Sequence, residues 1–69
     1  MKGHNELTFT NSSGGSRTIN ASNYATAVHL VVNMGMTGWC LKTSRKVTPD
    51  GQSFDNTEIV FGLVEEYLA

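Results

Sequence analysis

The stretch from Ser22 to Met34, SNYATAVHLVVNM, constrains the fold of this chain more than any other. Its apolar residues Tyr24, Ala27, Val28, Val31 and Met34 recur at spacings of three and four, which aligns them on one face of an α-helix. Ser22 is suited to cap the N-terminus, because its hydroxyl can accept from a first-turn amide that has no partner inside the helix. Gly35 suits the left-handed position that closes the C-terminus. A helix with one apolar stripe must bury it. A chain of 69 residues, which hides only about 60% of its unfolded surface, has room for little more than one sheet to bury it against.

The flanking segments supply strands for that sheet. Residues 1–5 read as a frayed terminus. Glu6-Leu-Thr-Phe-Thr then alternates polar and apolar, turning Leu7 and Phe9 inward. Asn11-Ser-Ser-Gly-Gly-Ser is a turn, and Arg17-Thr-Ile-Asn-Ala resumes the extended pattern with Ile19 and Ala21 inward, so the two strands form a hairpin. After the helix, Trp39 to Val47 reads as a third strand. Trp39, Leu41 and Val47 share one face with Thr43 and Arg45, and Cys40, Lys42, Ser44 and Lys46 share the other. Thr48-Pro-Asp-Gly-Gln closes a second hairpin, with Pro49 presetting φ for the turn.

The last segment carries two conflicting signals. Asp55 as N-cap, Glu58 three residues on and Phe54 placed to staple onto Ile59 make a helix start. Ile59-Val-Phe-Gly-Leu-Val is β-branched, aromatic and broken by Gly62, which favours a strand from about 57 to 64. The strand reading gives a single α+β domain over 1–69, a two-layer ββαββ with a four-stranded antiparallel sheet and one helix on one face. The helix reading gives ββαβα. The expected core is Phe9, Ile19, Val28, Val31, Trp39, Leu41 and Phe61. The strand reading also puts Cys40, Val60 and Val64 on the open sheet face among Lys42, Ser44 and Lys46, an apolar strip suited to a partner or a weak homodimer.

Composition narrows the class. At 39% hydrophobic and 9% aromatic the chain is too apolar for disorder. Its lone Cys40 excludes an internal disulfide and fits a reducing compartment. MKGHNE has no apolar stretch of a signal peptide, and no run is long enough to span a membrane, so a cytoplasmic protein is expected and the sequons at Asn11 and Asn20 are chance matches. His4, His29 and Cys40 lack the short paired spacing of a metal site. Cys40 has no local motif that would make it a nucleophile. Glu65 and Glu66, adjacent in a strand, point to opposite faces and cannot act as an acid/base pair. The Gly-Gly before Arg17 leads into a strand, not the helix N-terminus that a phosphate loop requires. No catalytic set and no cofactor fingerprint is visible, and an enzyme is not expected.

Charge is distributed unevenly. Residues 1–49 hold all five bases (Lys2, Arg17, Lys42, Arg45, Lys46) and one acid, Glu6, whereas residues 50–69 hold Asp50, Asp55, Glu58, Glu65 and Glu66 without a base. One reading pairs these acids with Lys42, Arg45 and Lys46 across the second hairpin. The other makes them an exposed binding strip anchored by Tyr67, Leu68 and Val64. An alternative function uses Lys42, Arg45 and Lys46, beside Trp39, as a nucleic-acid-binding strand.

Taken whole, a short chain with a hairpin, a helix opened by Ala21-Ser-Asn-Tyr-Ala-Thr-Ala-Val and further strands resembles the small inhibitors made by phages and mobile elements, the anti-CRISPR proteins above all. The likeness is one of size and architecture, and transfers no residue by identity. It implies a protein without enzymatic activity, acting in the host cytoplasm if phage-encoded; no metal or cofactor is expected. Its implied partner is a host complex such as a CRISPR–Cas effector, blocked at the surface that would otherwise receive DNA. At a net charge of −1 the chain differs from the strongly acidic DNA mimics, so the acidic strip Asp50, Asp55, Glu58, Glu65 and Glu66 with Tyr67 is the expected contact.

Overall fold

In a computed structural model that describes residues 3–69, the strands are β1 (His4–Asn11), β2 (Ser16–Ala21), β3 (Trp39–Val47) and β4 (Ser53–Asp55). Helix α1 (Tyr24–Asn33) separates the two hairpins and α2 (Thr57–Leu68) follows the second. The sheet is antiparallel throughout, in the order β2-β1-β3-β4. A ββα unit therefore occurs twice, and the leading strands of the two units lie side by side at the centre. One core joins both layers: Leu7, Phe9, Ile19 and Ala21 from the sheet, Ala27 and Val31 from α1, Val60, Val64 and Leu68 from α2, and Met36 from the connection. Trp39, Leu41, Val28 and Leu30 pack against it while half-buried.

The sheet holds four strands as expected, but the segment expected as a strand from 57 to 64 is helical, and the order is ββαββα. The helix-start signals prevail: the Thr57 amide donates to Asp55 Oδ1 at 2.8 Å, and Glu58 lies in the first turn. Val60, Val64 and Leu68, spaced by four, are buried at 0%, 0% and 8% exposure. Full burial of such a side chain contributes about 1.5–3 kcal/mol, which outweighs the ~1 kcal/mol that a mid-helix Gly62 costs relative to alanine. Phe61, expected in the core, is 46% exposed on the flank of α2. The Phe54–Ile59 staple does not form as a buried pair, since the cap falls at Asn56 and both side chains stay exposed.

A bulge in β3 accounts for a second departure. Phe9 pairs with Leu41 and Thr8 with Thr43, so Lys42 is the extra residue and the alternation changes face there. Trp39 and Leu41 face the helices as expected. Beyond the bulge it is Ser44, 1% exposed, that faces them, whereas Thr43 and Arg45 turn to the open side.

Helix α1 forms where expected, with its cap one residue later: Asn23 Oδ1, not Ser22, accepts from the Thr26 amide at 2.8 Å. Gly35 takes φ +61°, letting the Gly35 and Met36 amides donate to the carbonyls of Val32 and Val31. Met36 enters the core by this turn. Tyr24 and Met34, at the helix ends, are more exposed than their place on the stripe implied. The expected turns close both hairpins, Asn11 Oδ1 accepting from the Ser13 and Gly15 amides and the Gly51 amide donating to Thr48 O. Residues 3–5 are not frayed: His4 and Asn5 pair with Val47 and Lys46 in the sheet, while Met1 and Lys2 lie outside the described residues.

Candidate protein-binding face

Helix α2 is positioned by a buried polar junction. Asn56, directly before it, accepts from Ser44 Oγ at 2.6 Å and donates Nδ2 to Asn5 Oδ1 at 3.0 Å and to Tyr24 Oη at 3.4 Å. Asn5 in turn donates to the Ala21 carbonyl. The Ser44 amide donates to Thr57 Oγ1, and that hydroxyl donates back to Ser44 O. Among the described residues no buried side-chain nitrogen or oxygen lacks a partner. An unpaired buried polar group costs about 1–3 kcal/mol, so this junction fixes where α2 starts relative to three strands and α1. At its other end the Gly38 amide donates to Leu68 O at 2.9 Å. The sequence signal for the junction was slight: Asn56 preceded a segment with conflicting strand and helix signals, Asn5 fell in the terminus expected to fray, and Ser44 was assigned to the open face of its strand.

With the stripe Val60, Val64 and Leu68 turned inward, 3.6 residues per turn leave Ile59, Gly62 and Glu66 along the outward crest of α2. Glu58 and Glu65 flank the crest on one side, Leu63 and Tyr67 on the other. Ile59, Leu63 and Tyr67 are 56%, 40% and 37% exposed. Glu65 and Glu66, expected on opposite faces of a strand, project from the same side of a helix. The Glu66 carboxylate raises the pKa of the Tyr67 phenol above its ordinary value.

The expected acidic strip is thus partly assembled. Glu58, Glu65, Glu66 and Tyr67 share α2, and Asp55 stands at its N-terminus with a carboxyl held below its ordinary pKa by the Thr57 amide. Asp50 belongs to the β3–β4 turn, where the Thr48 hydroxyl donates to its carboxylate and lowers its pKa. Among the described residues the ion pairs are His4–Glu6 at 3.1 Å and Arg45–Glu6 at 2.8 Å. None of the five C-terminal acids is in one. The Glu6 pKa is lowered by hydrogen bonds from His4 and then Arg45. Val64 and Leu68, expected to anchor a partner, are core residues and present no such surface.

Among the described residues the bases are not gathered on one face. Lys42 sits at the bulge, Arg45 on the open sheet face holding Glu6, and Lys46 on the opposite parity across from Phe54. Arg17 lies 5.0 Å from the centroid of the Trp39 ring and donates to Met36 Sδ, so it closes the end of the core instead of a phosphate loop. The open face lacks the expected apolar strip, because Val60 and Val64 are interior and Ser44 is buried. It carries Glu6, Thr8, Thr43, Arg45 and Cys40, with a recess of about 380 Å³ beside Ser53 and Asp55. Exposed His29 bonds to Asn33, and no three His, Cys, Asp or Glu side chains among the described residues are grouped to hold a metal. Among the described residues no helix is long and apolar enough to cross a membrane.

Comparison of the chain with protein-family models, curated proteins and solved structures finds no match.

Proposed function

We propose that this protein is a stoichiometric, non-enzymatic inhibitor that docks on a host nucleic-acid-handling complex and competes with nucleic acid for a positively charged groove. The observation that carries the reading is the outward face of α2. Glu58, Glu65 and Glu66 make no ion pair among the described residues, and they share the outer surface of α2 with the exposed side chains of Ile59, Leu63 and Tyr67. Unneutralised carboxylates steer the protein toward basic surfaces and raise the association rate, and apolar side chains beside them supply the desolvated anchor that charge alone lacks. Asp55 extends the field to the start of the helix. The resemblance in size and general make-up read from the sequence is what makes CRISPR–Cas effectors the first complexes to test.

The test is DNA binding by purified effector complexes of each major type, with and without this protein at equimolar amounts. Inhibition of at least one is expected, weakening as salt rises. A variant carrying Asp55→Asn, Glu58→Gln, Glu65→Gln and Glu66→Gln is expected to keep its circular dichroism spectrum and lose the inhibition. A folded variant that inhibits as well as the wild type contradicts the acidic-face mechanism, and no inhibition anywhere in the panel contradicts the assignment to this class of target.

A further inference from the structure

We infer that the element received by the outward face of α2 is a basic amphipathic helix of the partner, crossing α2 at Gly62. The inference rests on the reading of that face given above and goes further in naming what occupies it. Gly62 is the starting point. It lies mid-helix, without a positive φ, and a Cβ built on it meets no atom within 4 Å. Neither backbone geometry nor internal packing asks for glycine there, yet glycine is the poorest helix former after proline. A bare Cα on the crest, between Ile59 and Glu66, is what allows a second helix to approach to the short end of the usual 8–10 Å interaxial range. Ile59 and Leu63 then line one side of the contact and Glu58 and Glu65 the other, and Ile59 and Leu63 are both exposed.

The charge on α2 chooses among occupants. The helix holds Glu58, Glu65 and Glu66 and no base. A second copy packed antiparallel about Gly62 would set Glu58 against Glu66 of its partner at both ends of the crossing, since each lies four residues from the glycine, and like charges so placed repel. A helix with Lys or Arg flanking a small or apolar strip satisfies the same positions.

The probe is a synthetic helical peptide of about four turns, with Ala and Leu on one face and Lys on the rest, together with a version carrying Glu for every Lys. Titrated at low salt into the isotopically labelled protein, the Lys peptide is expected to shift the amides of 58–67 and leave the open sheet face unchanged, and the Glu peptide to shift neither. Gly62→Gln, a better helix former with a side chain where the Cα was bare, is expected to keep or raise the melting temperature and weaken binding roughly tenfold. Glu65→Lys with Glu66→Lys should lose the Lys peptide and gain the Glu peptide. Binding that vanishes in a Glu58→Gln, Glu65→Gln, Glu66→Gln variant but survives Gly62→Gln overturns the helix crossing and leaves the charged face standing. No binding, or shifts confined to residues around Glu6, Thr43 and Arg45, overturns both.

Discussion

The helix of the first ββα unit, Tyr24–Asn33, contains no Asp, Glu, Lys or Arg, whereas that of the second, Thr57–Leu68, contains three acids and a mid-helix glycine. Both bury a narrow stripe, Ala27 and Val31 in one and Val60, Val64 and Leu68 in the other. Their ends are secured differently. Helix α1 is capped by Asn23 and by the Gly35 turn, which is local chemistry. Helix α2 is held at Asn56 by a junction drawing on β1, β2, β3 and α1, and at Leu68 by Gly38. The second helix thus depends on its buried side and its ends, leaving the composition of its outward face free of any duty to the fold.

Substitution within the two stripes and on the two outer faces should separate these roles. The largest effect is expected for Val31→Asp, which puts an unpaired charge at a position with 0% exposure and should abolish cooperative thermal unfolding. Ile59→Asp, on the crest of α2, should change stability by no more than about 0.5 kcal/mol. A folded Val31→Asp protein would show that the first stripe is not the core.

Next in size is Asn56→Ala. It strands the Ser44 hydroxyl and Asn5 Oδ1, each costing about 1–3 kcal/mol, whereas Asn23→Ala removes only a local cap worth about 1 kcal/mol. Urea unfolding of the two variants should rank Asn56→Ala as clearly the more destabilising. Equal losses would mean that the two helix starts are held alike.

The smallest effect is expected from acid. Hydrogen bonds lower the pKa of Glu6 from 4.5 and of Asp55 from 3.8, so each carboxylate adds stability above its ordinary pKa and loses it as pH falls through the lower folded-state value. Urea midpoints should therefore be flat near neutrality and decline below about pH 4.5. Glu6→Gln, which breaks the bridge from the first unit to Arg45 of the second, should flatten part of that decline. A decline beginning above pH 6 would assign the acid sensitivity to another group.

How much of this was legible in the sequence differs by region for physical reasons. The first unit could be read almost in full, because Leu7 and Phe9 alternate with polar residues and the α1 stripe keeps helical spacing. The second unit was harder. Ile59-Val-Phe satisfies strand preference locally, and only burial against the sheet makes Val60, Val64 and Leu68 the decisive set. The β3 bulge carries no signature in Lys42 or Thr43, since a bulge is fixed by pairing with β1. As a result Arg45 and Ser44 exchanged faces relative to simple alternation. Of the residues proposed to bind a partner, Glu58, Glu65 and Glu66 were visible as a run of acids without bases, with Tyr67 beside them. Ile59 and Leu63 were hidden because a strand reading turns other side chains outward, and Gly62 was read only as a helix breaker.

The central claim is that the outward face of α2 is shaped by something outside this chain, and Gly62 tests it without any partner in hand. Chemical denaturation of Gly62→Ala against the wild type is the measurement. With open space around the added methyl group, Gly62→Ala should raise the unfolding free energy by about 0.5–1 kcal/mol. An unchanged or lowered value would mean that the fold itself requires the glycine, and would contradict the account.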